Sequence, residues 1–509
     1  MKVFTRDQIA QANPEDSLLC IIDSQVYDLT DFVDAHPGGE AVLRQVAGQD
    51  ATAEFYNVHR HEVLRKYSSL HVGRIEGEES QVVQRQPGDI SPVPYGEPLW
   101  LRPEYKSPYY KKSHRLLQQA MRKFMEEEVE EEARRCEETG EIISDRLVRL
   151  MAENNILAMR MGPGEHLHGR TLLGGVVQPE EFDYFHDQIV QQEIGYVSAR
   201  GFMDGNMTGM TISLSVIMKY CNNEALRKKV LDECLSGRKK ICLAVSEAFA
   251  GSDVAGMRTT VEKSQDGSHY VFSGTKKWIT NGVFSDYFIT AAKTPKGMSV
   301  FLVERSEGLE TKPIKTSYSA SAGTAFVTYE QVKVPASHLM GEEHKGFAVV
   351  MNNFNHERWF VTCAVIRQMR VVTEECLKWS NQRMIFGKRL IEQPVIRARL
   401  AKMIAHCEAN QAYLETITHQ MQQTPESEKS KLGGPIGLLK MFATRSAHEI
   451  ADESVQVFGG RALTRTGMGR AIELFHRTYK FDAILAGTEE ILGDLGVRQA
   501  MKRFPKAML

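Results

Sequence analysis

No apolar run in the 509 residues approaches the ~18 needed to cross a bilayer, so no transmembrane helix is expected. Paired cysteines are missing too. The eight (Cys20, Cys136, Cys221, Cys234, Cys242, Cys363, Cys376 and Cys407) lie singly, without one C-x-x-C. That spacing argues against a zinc site and a disulfide framework, and it fits a reducing compartment. Charge of one sign is lacking: 63 basic against 65 acidic residues leave a net −2, so nothing global calls for nucleic acid. The N-terminus has neither the apolar core of a secretory signal nor the acid-free, Arg/Ser-rich texture of a mitochondrial presequence. The terminal Ala507-Met508-Leu509 is read as chance, because Met508 stands where a peroxisomal address has a basic residue. No clear targeting signal remains, and the expectation is an intracellular protein, cytoplasmic or peroxisomal.

With 42% hydrophobic and 25% charged residues, the chain has the composition of ordinary globular protein, and its length suggests three or four domains. Residues 1–77 form a small acidic module with 7 basic and 12 acidic residues. Residues 78–106, rich in Pro, Gly, Ser and Gln, read as a linker. Helical periodicity then runs through 113–137, 180–197, 207–220 and 223–236. From Ile241 to about Leu339, alternating β-branched residues and Asp266-Gly267, Ser273-Gly274 and Asn281-Gly282 turns indicate strands. Long helices return at about 346–380, 393–422, 434–458 and 470–485. The reading is a multidomain α+β protein: the small module at 1–77, a helical domain at 107–240, a β domain at 241–343, and a helical bundle at 344–509.

In the small module, His36-Pro37-Gly38-Gly39 follows Val26-Tyr27-Asp28-Leu29-Thr30, and His59 closes Phe55-Tyr56-Asn57-Val58. Two neutral imidazoles approaching from opposite faces are what a six-coordinate haem needs, and glycines let backbone approach its edge. These motifs resemble the cytochrome b5 domain. The 23-residue step from His36 to His59 is similar to that in b5 domains of nitrate reductases and flavocytochromes. The resemblance implies haem b, with His36 and His59 on the iron. His61 is the competing ligand, and His71 is read as structural.

In the larger part, Ser246-Glu247-Ala248-Phe249-Ala250-Gly251-Ser252-Asp253 forms a small-residue loop after a strand. Gly274-Thr275-Lys276-Lys277-Trp278-Ile279-Thr280-Asn281-Gly282 follows. Such a loop allows close approach to a pyrophosphate, and an indole makes an apolar wall for a flat ring. Together with Arg383-Met384-Ile385-Phe386-Gly387-Lys388, Gln456-Val457-Phe458-Gly459-Gly460 and Gly487-Thr488-Glu489-Glu490-Ile491, these residues resemble the acyl-CoA dehydrogenase family over about 107–509. The resemblance implies FAD contacts from Ser246, Ser252, Trp278 and Thr280. It implies Arg383, Phe386, Gln456 and Gly460 against the adenine half of a neighbouring subunit's FAD, hence a homodimer or homotetramer. Thr488 and Glu490 would hold the same cofactor.

Taking a proton from the carbon α to a thioester calls for a carboxylate in a dry pocket, its pKa raised towards working pH. Many family members carry it directly before the Gly-Thr matched by Gly487-Thr488, where this chain has Ala486. A minority, including isovaleryl- and long-chain-type dehydrogenases, carry it earlier in a Glu-Arg pair, matched here by Glu357-Arg358. The expected base is Glu357, with Arg358 and the Ala486 backbone on the substrate side. Asn355 replaces an Asp that relatives use near pantetheine. Met203, Met207 and Met210 are read as core or acyl-pocket lining.

The function expected is FAD-dependent α,β-dehydrogenation of an acyl-CoA, with the haem module in electron transfer. Electrons would pass to the protein's own haem, an electron-transferring flavoprotein or oxygen. The rivals are a flavin oxidase or monooxygenase on the same fold, and a non-catalytic DNA-associated flavoprotein. Residues 344–509 give the latter some room, with 24 basic against 16 acidic residues. Phosphate-rich CoA explains that surface equally well, so no nucleic acid is expected.

Overall fold

The computed structural model describes residues 2–13, 16–80, 82 and 85–505, so the C-terminal Ala507-Met508-Leu509 lies outside it. Among the described residues no helix is long and apolar enough to cross a membrane. The chain divides into two compact units: residues 1–86, 375–400 and 455–473, and residues 87–374, 401–454 and 474–509.

In the first unit a four-stranded sheet has the spatial order Lys2–Phe4, His71–Ile75, Gln25–Asp28, Leu19–Ile22. The last two strands form a hairpin through Asp23 and Ser24, both at positive φ (52° and 62°). Two left-handed residues twist with the strands and suit a two-residue turn. Strand alternation splits the apolar side chains. Ile21 and Val26 pack with Ile9 and Ile75, whereas Cys20, Ile22 and Tyr27 face a cluster with Val33, Leu43 and Leu64. The helices Glu40–Gln45, Thr52–Val58 and His61–Lys66 lie in the module. Elsewhere in this unit Trp379 stacks on Phe458 with 5.4 Å between ring centres, and its indole N–H donates to the Val457 carbonyl. Arg60 pairs with Glu375 at 2.5 Å.

The second unit holds an eight-stranded sheet with the order Leu309–Pro313, Ala325–Pro335, His269–Ile279, Thr260–Lys263, Tyr287–Thr294, Gly297–Glu304, Leu339–Met340; Ile241–Ala244 pairs in parallel with Tyr287–Thr294. Its helices include Lys112–Phe124, Tyr184–Val197, Gly209–Tyr220 and most of Gly346–Gln382. Pro394–Gln423, Gly433–Phe458 and Arg470–Ile484 belong to it in large part. Between Val197 and Gly209 the chain winds more widely, as a π-helix over Gly201–Thr208. Asn206 Nδ2 and Thr208 Oγ1 donate to carbonyls five residues back, at 3.2 and 2.9 Å, matching that wider register. Close approach requires glycine here: a Cβ on Gly209 would sit 2.1 Å from Asn281 Oδ1.

The expected linker differs in its second half. Ser91, Glu97, Trp100 and Leu101 are buried, and Glu97 forms ion pairs with Arg122 and Arg367. A single carboxylate answering two distant arginines holds this Pro/Gly-rich stretch against the helices, although its composition reads as loose chain.

Candidate active site

Glu357 stands on the helix Gly346–Gln382 and is buried, with Oε2 lacking a hydrogen-bond partner among the described residues. Burial pushes its pKa up from 4.5 to about 7, and the Arg358 and Lys440 cations oppose that rise. A carboxylate so tuned is half ionised near neutrality, where a general base works best.

The connection from Arg470–Ile484 to Glu489–Met501 is clamped by the same two cations. Arg358 Nε donates to the Ala486 carbonyl at 2.9 Å, and Lys440 Nζ donates to the Gly487 carbonyl at 3.0 Å. Ala486 and Gly487 have φ of 58° and 112°. Glycine takes that geometry freely, and for alanine it costs roughly 1–2 kcal/mol. The Ala486 N–H has no backbone acceptor among the described residues, so it is free to meet an oxyanion. Thr488 caps the following helix through Ile491 N, and Glu490 is exposed one turn in. Lys440, fully buried, is held down to about 8 by desolvation. Arg358 Nη1 also reaches Asn355 Oδ1 at 3.4 Å.

On the β domain, Trp278 is half exposed at φ 62°. Ser246 lies beside it in the fold: its carbonyl accepts from Lys277 N at 2.9 Å. The loop that begins at Ser246 is pinned by Glu247, whose buried carboxylate accepts from Arg258 N, Thr259 N and Lys276 Nζ at 2.6, 3.1 and 2.7 Å. Ser252 is exposed at the loop's outer end. Thr280 hydrogen-bonds Tyr318, which stacks on Phe481 with 4.1 Å between ring centres. The first unit carries Arg383, Phe386, Gln456 and Gly460. Phe386 is 94% exposed at φ 48°, Gln456 and Gly460 are exposed, and Arg383 Nη1 contacts Asn57 Oδ1 at 3.5 Å.

In the small module the His36 and His59 rings are neighbours, with centres 6.2 Å apart and planes inclined at 70°. His36 Nδ1 pairs with the Gly39 carbonyl at 3.2 Å, which leaves Nε2 for another partner. Burial and the His36 ring lower the pKa of His59 and favour its neutral, ligating form. His61 instead pairs with the Tyr56 hydroxyl at 3.0 Å, and His71 Nε2 with Gln25 and the Gly73 carbonyl.

Comparison with known proteins decides the family. Models of the acyl-CoA dehydrogenase N-terminal, middle and C-terminal domains match residues 111–238, 242–332 and 344–501, and a cytochrome b5-like heme/steroid binding domain model matches 5–76. The chain belongs to the acyl-CoA dehydrogenase family. It is 36% identical to acyl-CoA dehydrogenase apdG of Emericella nidulans, over 82% of this chain and 97% of that protein. It is 34% identical to acyl-CoA dehydrogenase AFT10-1 of Alternaria alternata, over 81% and 96%. An acyl-CoA dehydrogenase structure from Geobacillus kaustophilus superposes with a TM-score of 0.67 and 26% identity, over 78% and 100%. These relatives favour neither the oxidase nor the DNA-associated alternative.

The family binds FAD, and the b5-like domain implies haem. The residues present suit both. A half-exposed indole in the left-handed region, with Lys277 Nζ 5.0 Å from its ring centre, offers a flat apolar ring beside a small-residue loop, as an isoalloxazine requires. A gap of 6.2 Å between imidazole centres admits one metal atom bonded on both sides. A Cβ at Gly38 would lie 2.7 Å from His36 Cε1, so a larger residue there would push the imidazole out of this pose. Phe32 and Phe55 add aromatic walls.

His114, Asp183 and His186 lie close enough to suggest a metal site, yet their atoms are spent on helix caps. His114 Nδ1 accepts from Lys111 N and His186 Nδ1 from Asp183 N, while the opposite nitrogens face Asp183 and Ser113. Sequence reasoning missed Lys440 and Glu247. A lone lysine inside the apolar stretch Ile436–Phe442 was the available signal for the first. The second gave none that separates it from any loop glutamate.

Proposed function

We propose that Glu357 removes the α proton of an acyl-CoA thioester during α,β-dehydrogenation, and that His36 and His59 ligate the haem of the b5-like module. The observation that carries the reading is a buried carboxylate with one oxygen unpartnered and a pKa near 7, beside the turn where the family's other base position holds Ala486. When bound, FAD accepts the β hydride and haem exchanges single electrons. The chain's own residues do the rest. Arg358 and Lys440 hold the 486–487 carbonyls and so aim the Ala486 N–H at the thioester oxygen. Burial keeps water from Glu357, and the Trp278 face orients the flavin ring. Ser246, Ser252, Thr280, Thr488 and Glu490 would contact the same cofactor.

Arg383, Phe386, Gln456 and Gly460 would meet the adenine half of a second subunit's FAD, in a homodimer or homotetramer. A Phe386 side chain 94% exposed at a left-handed φ of 48° supports that reading, because an aromatic ring so placed has its surface free for a partner. The haem module is proposed as first electron acceptor, ahead of an electron-transferring flavoprotein or oxygen.

Anaerobic titration of the holoprotein with an acyl-CoA panel should bleach the flavin band, and Glu357→Gln should bind thioester without bleaching. Full-speed bleaching by Glu357→Gln overturns the assignment. For the module, His59→Ala should abolish the low-spin haem spectrum while His61→Ala keeps it; the reverse pattern exchanges the ligands.

A further inference from the structure

Beyond Glu357 the second unit holds a small cavity lined by Arg160, Asp204, Asp482, Ile194, Phe360 and Val361 among others, with Met203 and Thr208 on the π-helix side. It has room for about one water molecule. Its place relative to the base follows from helix geometry. Glu357, Val361 and Ala364 are spaced i, i+4, i+7 on one helix and share a face. At 1.5 Å per residue the cavity lies about 6–10 Å along the helix from Glu357. Asp482 sits one turn before Ala486, and Lys440 senses both Asp482 and Glu357.

The lining is mixed: apolar side chains such as Ile194, Phe360 and Val361 share it with the charged Arg160, Asp204 and Asp482. Arg200 and Asp482 form a two-pronged pair, with Nη1 to Oδ1 at 3.0 Å, while Arg200 Nε has no partner among the described residues. Two other groups are left over. Arg160 is buried and uses Nε on Gln191 at 2.9 Å, but its Nη1 has no partner among the described residues. Asp204 is buried, and its Oδ2 is ion-paired with Arg200 Nη1 at 3.8 Å but has no hydrogen-bond partner among the described residues. One unfilled donor and one unfilled acceptor thus line a space the size of one oxygen atom with its hydrogens. Buried polar atoms of this kind require a partner, and water or a ligand hydroxyl can serve both at once. A methyl terminus would serve neither. A terminal carboxylate would answer Arg160 but face Asp204 and Asp482, and an ammonium would answer the aspartates but leave Arg160 against a cation, whereas a hydroxyl serves both.

We propose that this cavity is a specificity site that selects acyl-CoA thioesters carrying a hydroxyl several carbons beyond the β position, the hydroxyl donating to Asp204 and accepting from Arg160. Burial pushes Asp204 up to about 7, so its carboxyl can meet the hydroxyl either as acceptor or, protonated, as donor. Arg160 is held down to about 10 by the same desolvation and remains a cation. The inference rests on acyl-CoA dehydrogenation and names its substrate class.

The test compares hexanoyl-, octanoyl- and decanoyl-CoA with their ω-hydroxy and ω-carboxy counterparts on the holoprotein, by flavin bleaching and by kcat/KM with a dye acceptor. For at least one chain length the ω-hydroxy thioester should exceed its plain partner by about 10-fold or more, because a plain chain that reaches the cavity displaces its water and leaves two buried groups unpaired. Asp204→Leu should erase or invert that ratio, and Arg160→Lys, a gentler change, should reduce it several-fold. Plain thioesters turned over as well as or better than every ω-hydroxy partner overturn the proposal while leaving dehydrogenation intact. A preference for ω-carboxy chains, or a ratio unmoved in both variants, overturns it as well. If no thioester bleaches the flavin, the dehydrogenase reading fails and takes this one with it.

Discussion

Glu97 and Glu357 are both buried glutamates of the second unit, and their surroundings drive them in opposite directions. Glu97 accepts from Ser91 N and from two nitrogens of Arg122, and pairs with Arg367 at 3.0 Å. Those partners hold its pKa far below the usual carboxylate range in spite of burial. Glu357 has two cations nearby, but each of them spends a hydrogen bond on a backbone carbonyl, and the carboxylate rises to about 7. Burial alone therefore tells nothing about role. What separates a structural carboxylate from a reactive one is whether its neighbours aim their donors at it or past it.

Replacing each carboxylate sharpens the contrast, starting with the largest effect. Glu357→Gln should lower kcat/KM by about 10²–10⁴-fold, the usual worth of a general base, with thioester binding largely kept. Rapid-reaction flavin bleaching checks it. Glu97→Ala should cost about 3–5 kcal/mol of unfolding free energy, since it leaves Arg122 and Arg367 buried with one fewer anion. Denaturant titration of the second unit's transition reads that loss.

Stability against pH separates the pair again. The folded pKa of Glu357 lies above its unfolded 4.5, so its protonated form contributes stability fully below about 4.5. That contribution is lost as pH rises through about 7. The forfeited amount is about 3 kcal/mol for a shift of this size. Glu357→Gln should consequently be more stable than the parent by up to that amount near pH 9, and no more stable near pH 4. Glu97 runs the other way, its contribution present at neutral pH and lost on acidification. Thermal melts between pH 9 and pH 4 measure the Glu357 slope, and melts carried below about pH 4.5 measure that of Glu97.

Long helices were legible because apolar periodicity is local. The expected spans 346–380, 393–422 and 434–458 meet Gly346–Gln382, Pro394–Gln423 and Gly433–Phe458. What failed was non-local. The buried half of the 78–106 stretch depends on Glu97 finding Arg367, 270 residues away, and no window of sequence records that pairing. The π-helix at Gly201–Thr208 follows from glycines fitting against Ser321 and Ala322, which periodicity cannot foresee. At the site, Glu357 could be named because the motif position of Ala486 is emptied of its acid. Lys440 and Asp204 act through distance and burial, and those exist only once the chain is folded.

Lys440 offers the finest cut through the comparison. Its ammonium lowers the pKa of Glu357 and its Nζ also holds the Gly487 carbonyl, so deleting the side chain would confound charge with turn geometry. Lys440→Gln removes the charge and keeps a donor within reach of that carbonyl. Losing a nearby cation destabilises the carboxylate, so the ascending limb of the kcat/KM profile should move alkaline by about one unit, or ~1.4 kcal/mol. Activity at pH 7 should fall several-fold and recover near pH 9. A uniform loss at every pH would instead mean that the lysine serves only the 486–488 turn, and that desolvation alone tunes the base.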